Sequence, residues 1–481
     1  MIIDFKNPPI IINSKKNCIF VANPFDKNYN LIIFRMSFFK RVIPFLFILS
    51  LFLSSCNQKK IAGIAKDENV AFLLHEWNQT ITDIMVGDGF SPLLASRTYA
   101  YPNIAAYEML IQKFKDKQDM KNRLNGLHEL PPVEIGKIYC FELAAIQTFA
   151  TVAKKLVYRE EPCDVLLKKH IAFFRDSMNL HEDVINNSLE YGKLSGEQII
   201  AWAKEDKYAE TKGKPKYLFS TEPGKWSPTP SEFRSALEPF WGTVRTFSGI
   251  NPSENAVPFS IPFSTEKGSR FYNLAKEVYD SSKTLTDYQK TIALYWDDNP
   301  DQMTFQGHIP NPRRRISPVA HWLGITQQAC KSKGLDMMES SKCYTMVSIA
   351  IADAIICCWK QKYETNLIRP VTYIHDHIDP EWSPMIETPP FPEHTSGHAS
   401  VSFSSATVLT HIIGNSEHFT DIALKDYGLN ERSFNNFYEA ANEAAISRFY
   451  GGIHYKTGVD GGIEQGKKTG QFVIRLFENK N

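Results

Sequence analysis

Two short stretches near the C-terminal end of this chain hold residues that could do chemistry: Pro392-Glu393-His394-Thr395-Ser396-Gly397-His398 and Ser447-Arg448-Phe449-Tyr450-Gly451-Gly452-Ile453-His454. A third piece, running from Lys362 to Arg369-Pro370, precedes them. One region thus supplies a lysine, two arginines, two histidines and a Ser-Gly step, a set suited to gripping a tetrahedral oxyanion. The ammonium of Lys362 is a compact point charge, and the guanidinium of Arg369 is a planar fork that can donate twice to one anion.

Local rules say how these residues are presented. Arg369 precedes a proline, which disfavours the α conformation, so it projects from an extended turn after a helix that ends near Lys362. Pro390-Phe391-Pro392 forces another turn, and Ala399 to Ile413 is an apolar helical run. Ser396 and Gly397 therefore fall at a helix N-terminus, where free N–H groups and the positive end of the dipole favour an anion. Gly397 lets a ligand approach the backbone closely. Taken alone, this motif also reads as a plain serine N-cap with a bystander histidine, and His394 reads as exposed. Asn435 to Phe449 forms a further helix that ends with Arg448 and is broken by Gly451-Gly452, so His454 lies in the loop beyond. Gly462 and Gly466 are read as preceding a last helix that runs to Phe477.

The elements that must position these pieces are helices. Val70 to Val86, Ser91 to Phe114, Glu134 to Leu156, Cys163 to Met178 and His181 to Lys207 carry apolar residues at helical spacing, with Ser91-Pro92 as N-cap and first turn. Between Tyr208 and Ser264, Pro, Gly, Ser and Thr cluster into a long crossover bearing Phe240-Trp241. Helical patterning returns over Glu266 to Ser282, Thr286 to Asp298, Ile316 to Ser332 and Leu335 to Lys362. The run Arg313-Arg314-Arg315 reads as a solvated surface. In the last of these helices Asp353 lies inside an apolar stretch, on the face opposite Lys362, and reads as a structural hydrogen-bonding group because a buried acid needs a partner. The expected fold class is all-α: two packed helical bundles over 57–260 and 261–481, with the oxyanion site in the C-terminal bundle and the long loops closing over it.

Composition narrows the function. With 54 basic and 53 acidic residues among 481, the chain has no net basic balance of the kind nucleic-acid binding uses, so any anion site must be local. From Met36, the run Ser-Phe-Phe-Lys-Arg, the apolar stretch Val42 to Leu53 and Ser54-Ser55-Cys56 match a signal peptide over 36–56. That segment resembles a bacterial lipoprotein signal with lipidation at Cys56, which implies an exported protein anchored in the cell envelope. Residues 1–35 have no such logic and read as an upstream mis-start. The remaining cysteines show no zinc-type spacing, and their spacing does not pair them.

Taken in order, the Lys362-to-Arg369-Pro370, Ser396-Gly397-His398 and Ser447-Arg448-to-His454 motifs resemble the superfamily that joins type 2 phosphatidic acid phosphatases and bacterial acid phosphatases to vanadium-dependent haloperoxidases. The match is tightest over 359–460. Weaker echoes are Ser91-Pro92 with Ala95-Ser96-Arg97, and Tyr295-Trp296-Asp297-Asp298, where Asp298 would serve the site arginines. The resemblance implies a clamp of Lys362, Arg369 and Arg448 with Ser396 and the Gly397 N–H as further donors, His454 bonded to the central atom (vanadium, if vanadate is bound), and His398 as acid–base. Trp359 and Phe391 resemble the aromatic pair of chloroperoxidase-type enzymes, and core packing is the alternative reading. Thr395 stands where the family often has proline. The phosphatases place an acid four residues beyond the second histidine; here that position is Gly458, so Asp460 or a backbone carbonyl must orient His454.

Phosphate and vanadate are both tetrahedral and both expand to five-coordinate, so the resemblance implies two chemistries. As a haloperoxidase, the protein would hold vanadate as cofactor, take a halide and hydrogen peroxide as small-molecule substrates, use Lys362 as the polarising cation and release hypohalous acid. As a phosphatase it would need no cofactor, and His454 would form a phosphohistidine from a phosphate ester. Chain length, the two-part layout and the aromatic pair favour the first. A third reading, from another class, is a non-catalytic helical binding lipoprotein, for which the oxyanion residues have no use.

Overall fold

The computed structural model describes residues 11–14, 17–20, 69–114, 120–300, 303–306, 309–312 and 315–478. The expected signal segment 36–56, including Cys56, lies outside them. The chain divides into a unit over Met1–Gly63 and a unit over Ile64–Asn481. The first contains an antiparallel hairpin, β1 (Ile11–Ser14) with β2 (Asn17–Phe20). Everything below concerns the second.

That unit is helical, as expected. It opens with α1 (Ala71–Asp88), α2 (Pro92–Ile111), α3 (Phe141–Leu156), α4 (Glu161–Ala172) and α5 (Glu182–Lys204). Ser91 caps α2, accepting from the Leu94 N–H with Pro92 in the first turn. The third helix begins seven residues after Glu134, at Phe141. After the short α6 (Tyr208–Lys212) comes the long crossover, then α7 (Arg270–Thr284), α8 (Asp287–Tyr295) and the hairpin β3 (Met303–Gln306) with β4 (Ile309–Pro312). The rest comprises α9 (Pro318–Lys333), α10 (Met337–Thr365), α11 (Pro370–His377), α12 (Gly397–Ile413), the pair β5 (Phe419–Asp421) and β6 (Arg432–Phe434), α13 (Phe437–Tyr450) and α14 (Lys456–Glu478).

Two helices at the centre position the site. α10 packs on α2 upstream and on α12 downstream, so it lies between the two sets of helices. It is long and apolar enough to cross a membrane, but its most apolar window is 94% buried within the protein, the mark of a core helix. Asp353 in this helix accepts from the Phe247 N–H at 2.7 Å, the Ser248 N–H at 2.9 Å and the Ser248 hydroxyl at 2.5 Å. It pins the crossover to the core and takes no part in the site, as its place on the helix predicts. α12 packs most extensively against α14, and glycines set that distance. A Cβ on Gly462 would lie 2.5 Å from the Ser396 carbonyl oxygen, and one on Gly466 2.4 Å from that of Ser400. These glycines do not precede the last helix; they form its buried face, spaced four apart to fit the ridge of α12. Cys140, Cys163, Cys330, Cys343, Cys357 and Cys358 are free and buried.

Candidate oxyanion site

The site forms where α10 ends. Asn366 adopts a left-handed conformation (φ 49°), its N–H capping the Lys362 carbonyl at 2.8 Å, so the helix stops one turn after Lys362. The chain then turns back through Arg369, extended (φ −79°, ψ 152°) ahead of Pro370 as that proline requires. Both cations are fully buried. Lys362 Nζ donates to the carbonyls of Pro392 and Glu393, each at 3.0 Å. Arg369 Nε donates to the Phe391 carbonyl and Nη1 to that of Ile453, each at 2.8 Å.

Aromatic faces cover these charges. Trp359 and Phe391 pack with ring centroids 4.8 Å apart, and the Phe391 ring lies 5.0 Å from both Lys362 Nζ and the Arg369 guanidinium. Ring quadrupoles offset part of the lost hydration. The offset is incomplete: burial, with the charge of Arg369 acting the same way, brings the Lys362 pKa down to about 7. Burial also lowers Arg369 and Arg448 to about 10 each.

Ser396 is the N-cap of α12, its oxygen accepting from the Ala399 N–H, and Gly397 is the first helical residue, bordering the cavity. Thr395 directs its hydroxyl to Gln465 Oε1 at 2.8 Å. Arg448, in the last turn of α13, donates from Nη1 to the Trp296 carbonyl at 2.6 Å. His454 follows in the loop between α13 and α14, and its Nε2 faces Arg369 Nη1 at 3.2 Å. His398, Gly397, Arg448, His454, Trp359 and Phe391 line one cavity, whose outer wall is apolar and rich in proline: Pro92, Pro300, Pro318, Pro389 and Pro390. Leu237 and Arg234 bring the long crossover to its rim, and Arg234 pairs there with Glu387.

Four expectations change. Asp460 is exposed and does not orient His454. Glu393 does so, its Oε1 accepting from His454 Nδ1 at 2.7 Å and from the Tyr455 N–H at 3.0 Å. Asp298 serves Arg448 through its charge, which opposes the lowering by burial, and not through a hydrogen bond: the turn that ends α8 aims it at His321 Nδ1, 2.9 Å away, and Arg448 Nη1 donates to the Trp296 and Asp297 carbonyls. His394 is buried and not exposed, with Nε2 bonded to the Val257 carbonyl at 2.7 Å. From the arginine run, Arg315 pairs with Asp297 at 2.5 Å.

Sequence reasoning also missed His321 and Asp421. His321 Nε2 meets Asp421 Oδ2 at 2.7 Å, and the ring stacks on Trp296 at 4.5 Å. Burial opposes its charge, but Asp298 and Asp421 prevail and raise its pKa to about 10. Its charge, with those of Arg448 and Lys362, adds to burial in holding His398 well below the usual histidine value. His454 is likewise held low, by burial first and then by Arg369, Lys362 and Arg448. Both site histidines are therefore neutral near pH 7 in the absence of an anion.

Whether this set fits vanadate or phosphate is decided by its unused atoms. Arg369 Nη2, Arg448 Nε and His398 Nε2 are buried without a hydrogen-bond partner. Buried polar atoms are nearly always paired, so the two on cavity-lining residues, Arg448 and His398, beside a helix N-terminus mark a place for an oxyanion, with Arg369 held just behind through Ile453 and His454. A neutral His454 that donates from Nδ1 carries its lone pair on Nε2, where it accepts from Arg369 Nη1, and a central atom would take that lone pair over.

Likeness to known proteins identifies the family. Residues 342–480 match the VCPO second helical-bundle domain. Vanadium chloroperoxidase from Curvularia inaequalis is 22% identical over 234 residues, a stretch that is 41% of this chain and 37% of that protein's length. A solved bacterial vanadium-dependent chloroperoxidase in its holo form shares the fold, with a TM-score of 0.58 and 14% identity over 81% of this chain and 94% of that one. A solved bacterial vanadium-dependent iodoperoxidase superposes with a TM-score of 0.79 and is 36% identical, covering 86% of this chain and 98% of the other. On that extent of likeness in sequence and fold, the chain belongs to the vanadium-dependent haloperoxidases, a family of enzymes.

Proposed function

We propose that this enzyme oxidises a halide with hydrogen peroxide at a vanadate held by Lys362, Arg369, Ser396, Gly397, Arg448 and His454. The observation that carries the reading is that Arg448 Nε and His398 Nε2 are partnerless on residues that line the cavity with His454, while Arg369, whose Nη2 is also partnerless, bonds two residues of that lining, Ile453 and His454. Bound vanadate would supply the Lewis-acidic centre at which peroxide is activated toward halide.

The chain's own residues do the rest. Lys362, Arg369 and Arg448 balance the negative charge on the oxyanion oxygens, and the Gly397 N–H adds the field of the helix N-terminus. Glu393 keeps His454 in the tautomer whose Nε2 lone pair faces the cavity. The overall reaction, X⁻ + H₂O₂ + H⁺ → HOX + H₂O, consumes one proton. His398 is suited to take and return protons at Nε2, because its neutral ring has a free nitrogen there. The Trp359–Phe391 wall excludes water from Lys362 and Arg369 and strengthens their fields.

We also propose export as a lipoprotein anchored through Cys56, on the strength of the sequence over 36–56; an N-terminus at lipidated Cys56 in protein from the native host would support it, and one upstream of Met36 would end it. The catalytic reading is tested by loading phosphate-free protein with vanadate, then measuring iodide and bromide oxidation against hydrolysis of p-nitrophenyl phosphate by the metal-free form. Halide oxidation that depends on vanadate is expected. Phosphate-ester turnover with a trappable phosphohistidine and no halide oxidation would show the phosphatase instead.

A further inference from the structure

Gly458 lies in the first turn of α14, and a Cβ built on it would stand 2.1 Å from Glu393 Oε1 and 2.7 Å from both Cδ and Oε2. That same Oε1 accepts from His454 Nδ1 and the Tyr455 N–H. The backbone is fixed on both sides, since Glu393 N donates to the Leu367 carbonyl at 3.0 Å and Ser396 N to the Gly458 carbonyl at 2.9 Å. The carboxylate is fully buried, and only glycine at 458 leaves the place where it stands open.

We infer that Glu393 and Gly458 act as a matched pair: the glycine vacates a slot, and a carboxylate from a distant segment fills it and fixes His454 with its Nε2 lone pair toward the oxyanion. Glu393 is then a positioning residue, acting through His454. The inference rests on the proposed function in taking the cavity to hold an oxyanion.

Gly458 differs from its neighbours on the same helix face. Gly462 and Gly466 abut backbone carbonyls, which cannot yield without parting the helices. Gly458 abuts the end of a flexible side chain, which can. In Gly458→Ala the carboxylate should therefore move and the helix stay, the more so because alanine is favoured over glycine within a helix by ~1 kcal/mol. An aspartate at 458 would carry its oxygens two bonds from Cβ, close to the gap between that Cβ and Glu393 Oε1.

The test titrates vanadate, and separately inorganic phosphate, into the full chain by calorimetry, with thermal melting of each variant. Glu393→Ala and Gly458→Ala should each weaken oxyanion binding by roughly 10–100-fold, the usual worth of a group that orients a ligand histidine. Gly458→Ala should cost nothing further in a Glu393→Ala background, where the clash has no partner. Glu393→Ala with Gly458→Asp should recover affinity. Side-chain ¹⁵N shifts of His454 in ¹⁵N-histidine-labelled protein should show the Nδ1–H tautomer in the wild type and its loss in Glu393→Ala, which a merely structural role would not produce. Unfolding of Gly458→Ala that Glu393→Ala reverses would also support the pair. Wild-type affinity in either single variant, or an unchanged tautomer in Glu393→Ala, would overturn it. A wild type that binds neither oxyanion would instead remove the proposed function, leaving the tautomer measurement to decide the pair.

Discussion

Lys362 makes the charge state of the site measurable. Its ammonium is fully buried, held by two carbonyls and faced by aromatic rings, and burial brings its pKa down to about 7. An oxyanion at the cavity restores the charged form, so above pH 7 binding must take up a proton. Sulfate is the cleanest probe, being tetrahedral and fully ionised throughout the range. Its affinity should be level below pH 7 and fall by about tenfold per pH unit above it for the one proton Lys362 takes up. Glu393, which burial pushes up to about 7, adds a share of the same sign, because an incoming anion favours its neutral form. Lys362→Gln should bind sulfate more weakly at pH 6 and lose one proton's worth of slope. The assay is calorimetry from pH 6 to 9 in two buffers of different ionisation enthalpy, so that proton uptake is read directly. In the absence of anion the same shift has a consequence for folding: between pH 7 and the ordinary lysine value of 10.5 the unfolded chain binds a proton that the folded one does not, so stability gains from this group as pH rises. A sulfate affinity that stays flat from pH 6 to 9, or an equal slope in Lys362→Gln, would refute the reasoning.

Other substitutions separate roles. His454→Ala should abolish tight vanadate binding and turnover together, whereas His398→Ala should keep much of the oxyanion affinity and lose ~10²–10⁴-fold in rate, as for a positioned acid–base; folding is checked by melting, and full activity in both would end the catalytic reading. Asp421→Asn leaves His321 with one carboxylate in a fully buried setting and should cost ~3–5 kcal/mol of stability in a urea titration. Gly466→Ala sets a Cβ 2.4 Å from the Ser400 carbonyl and should cost ~1–3 kcal/mol in a urea titration by overpacking α12 against α14.

What the sequence disclosed is what local chemistry decides. Pro370 forces Arg369 into an extended backbone, and Ser396-Gly397 ahead of an apolar run can only start a helix; both stand as read. Asp353 could be set aside because a helix fixes which residues share a face. Errors arose where a partner comes from elsewhere in the chain. Asp460 was the acid nearest His454 in sequence, but in a helix that starts at Lys456 it points to solvent, whereas the partner that reaches His454 comes from 61 residues upstream. That glutamate stood in plain view beside His394 in the second motif; the signal was an acid next to a Ser-Gly step. Gly462 and Gly466 were read as a break because glycine is a poor helix former, but the contact they allow with α12 outweighs propensity. His321 and Asp421 carried no signal at all, since their meeting depends on how α9 packs beside β5.

The way the cations are held explains why this arrangement stays receptive. Lys362, Arg369 and Arg448 each spend a donor on backbone carbonyls: Pro392 and Glu393, Phe391 and Ile453, and Trp296. Carbonyls orient a cation without cancelling its charge. A carboxylate on each would be more comfortable for the free protein but would fill the positions that oxyanion oxygens need. Of the carboxylates near the site, Glu393 turns its bonded oxygen to His454 and Tyr455, Asp298 turns to His321 and Glu387 pairs with Arg234, so their hydrogen bonds leave Arg369 Nη2 and Arg448 Nε open. Such a site costs stability when empty, because desolvated charge is repaid only in part by carbonyls and rings. The apolar core around α10 carries that cost, and a bound oxyanion should return it as a rise in melting temperature that grows with the logarithm of ligand concentration. Phosphate should produce the same rise as vanadate at matched occupancy, because the clamp responds to tetrahedral charge. On the proposed function the two ligands would part only in what they supply once bound, since vanadate alone would activate peroxide toward halide beside the Trp359–Phe391 wall.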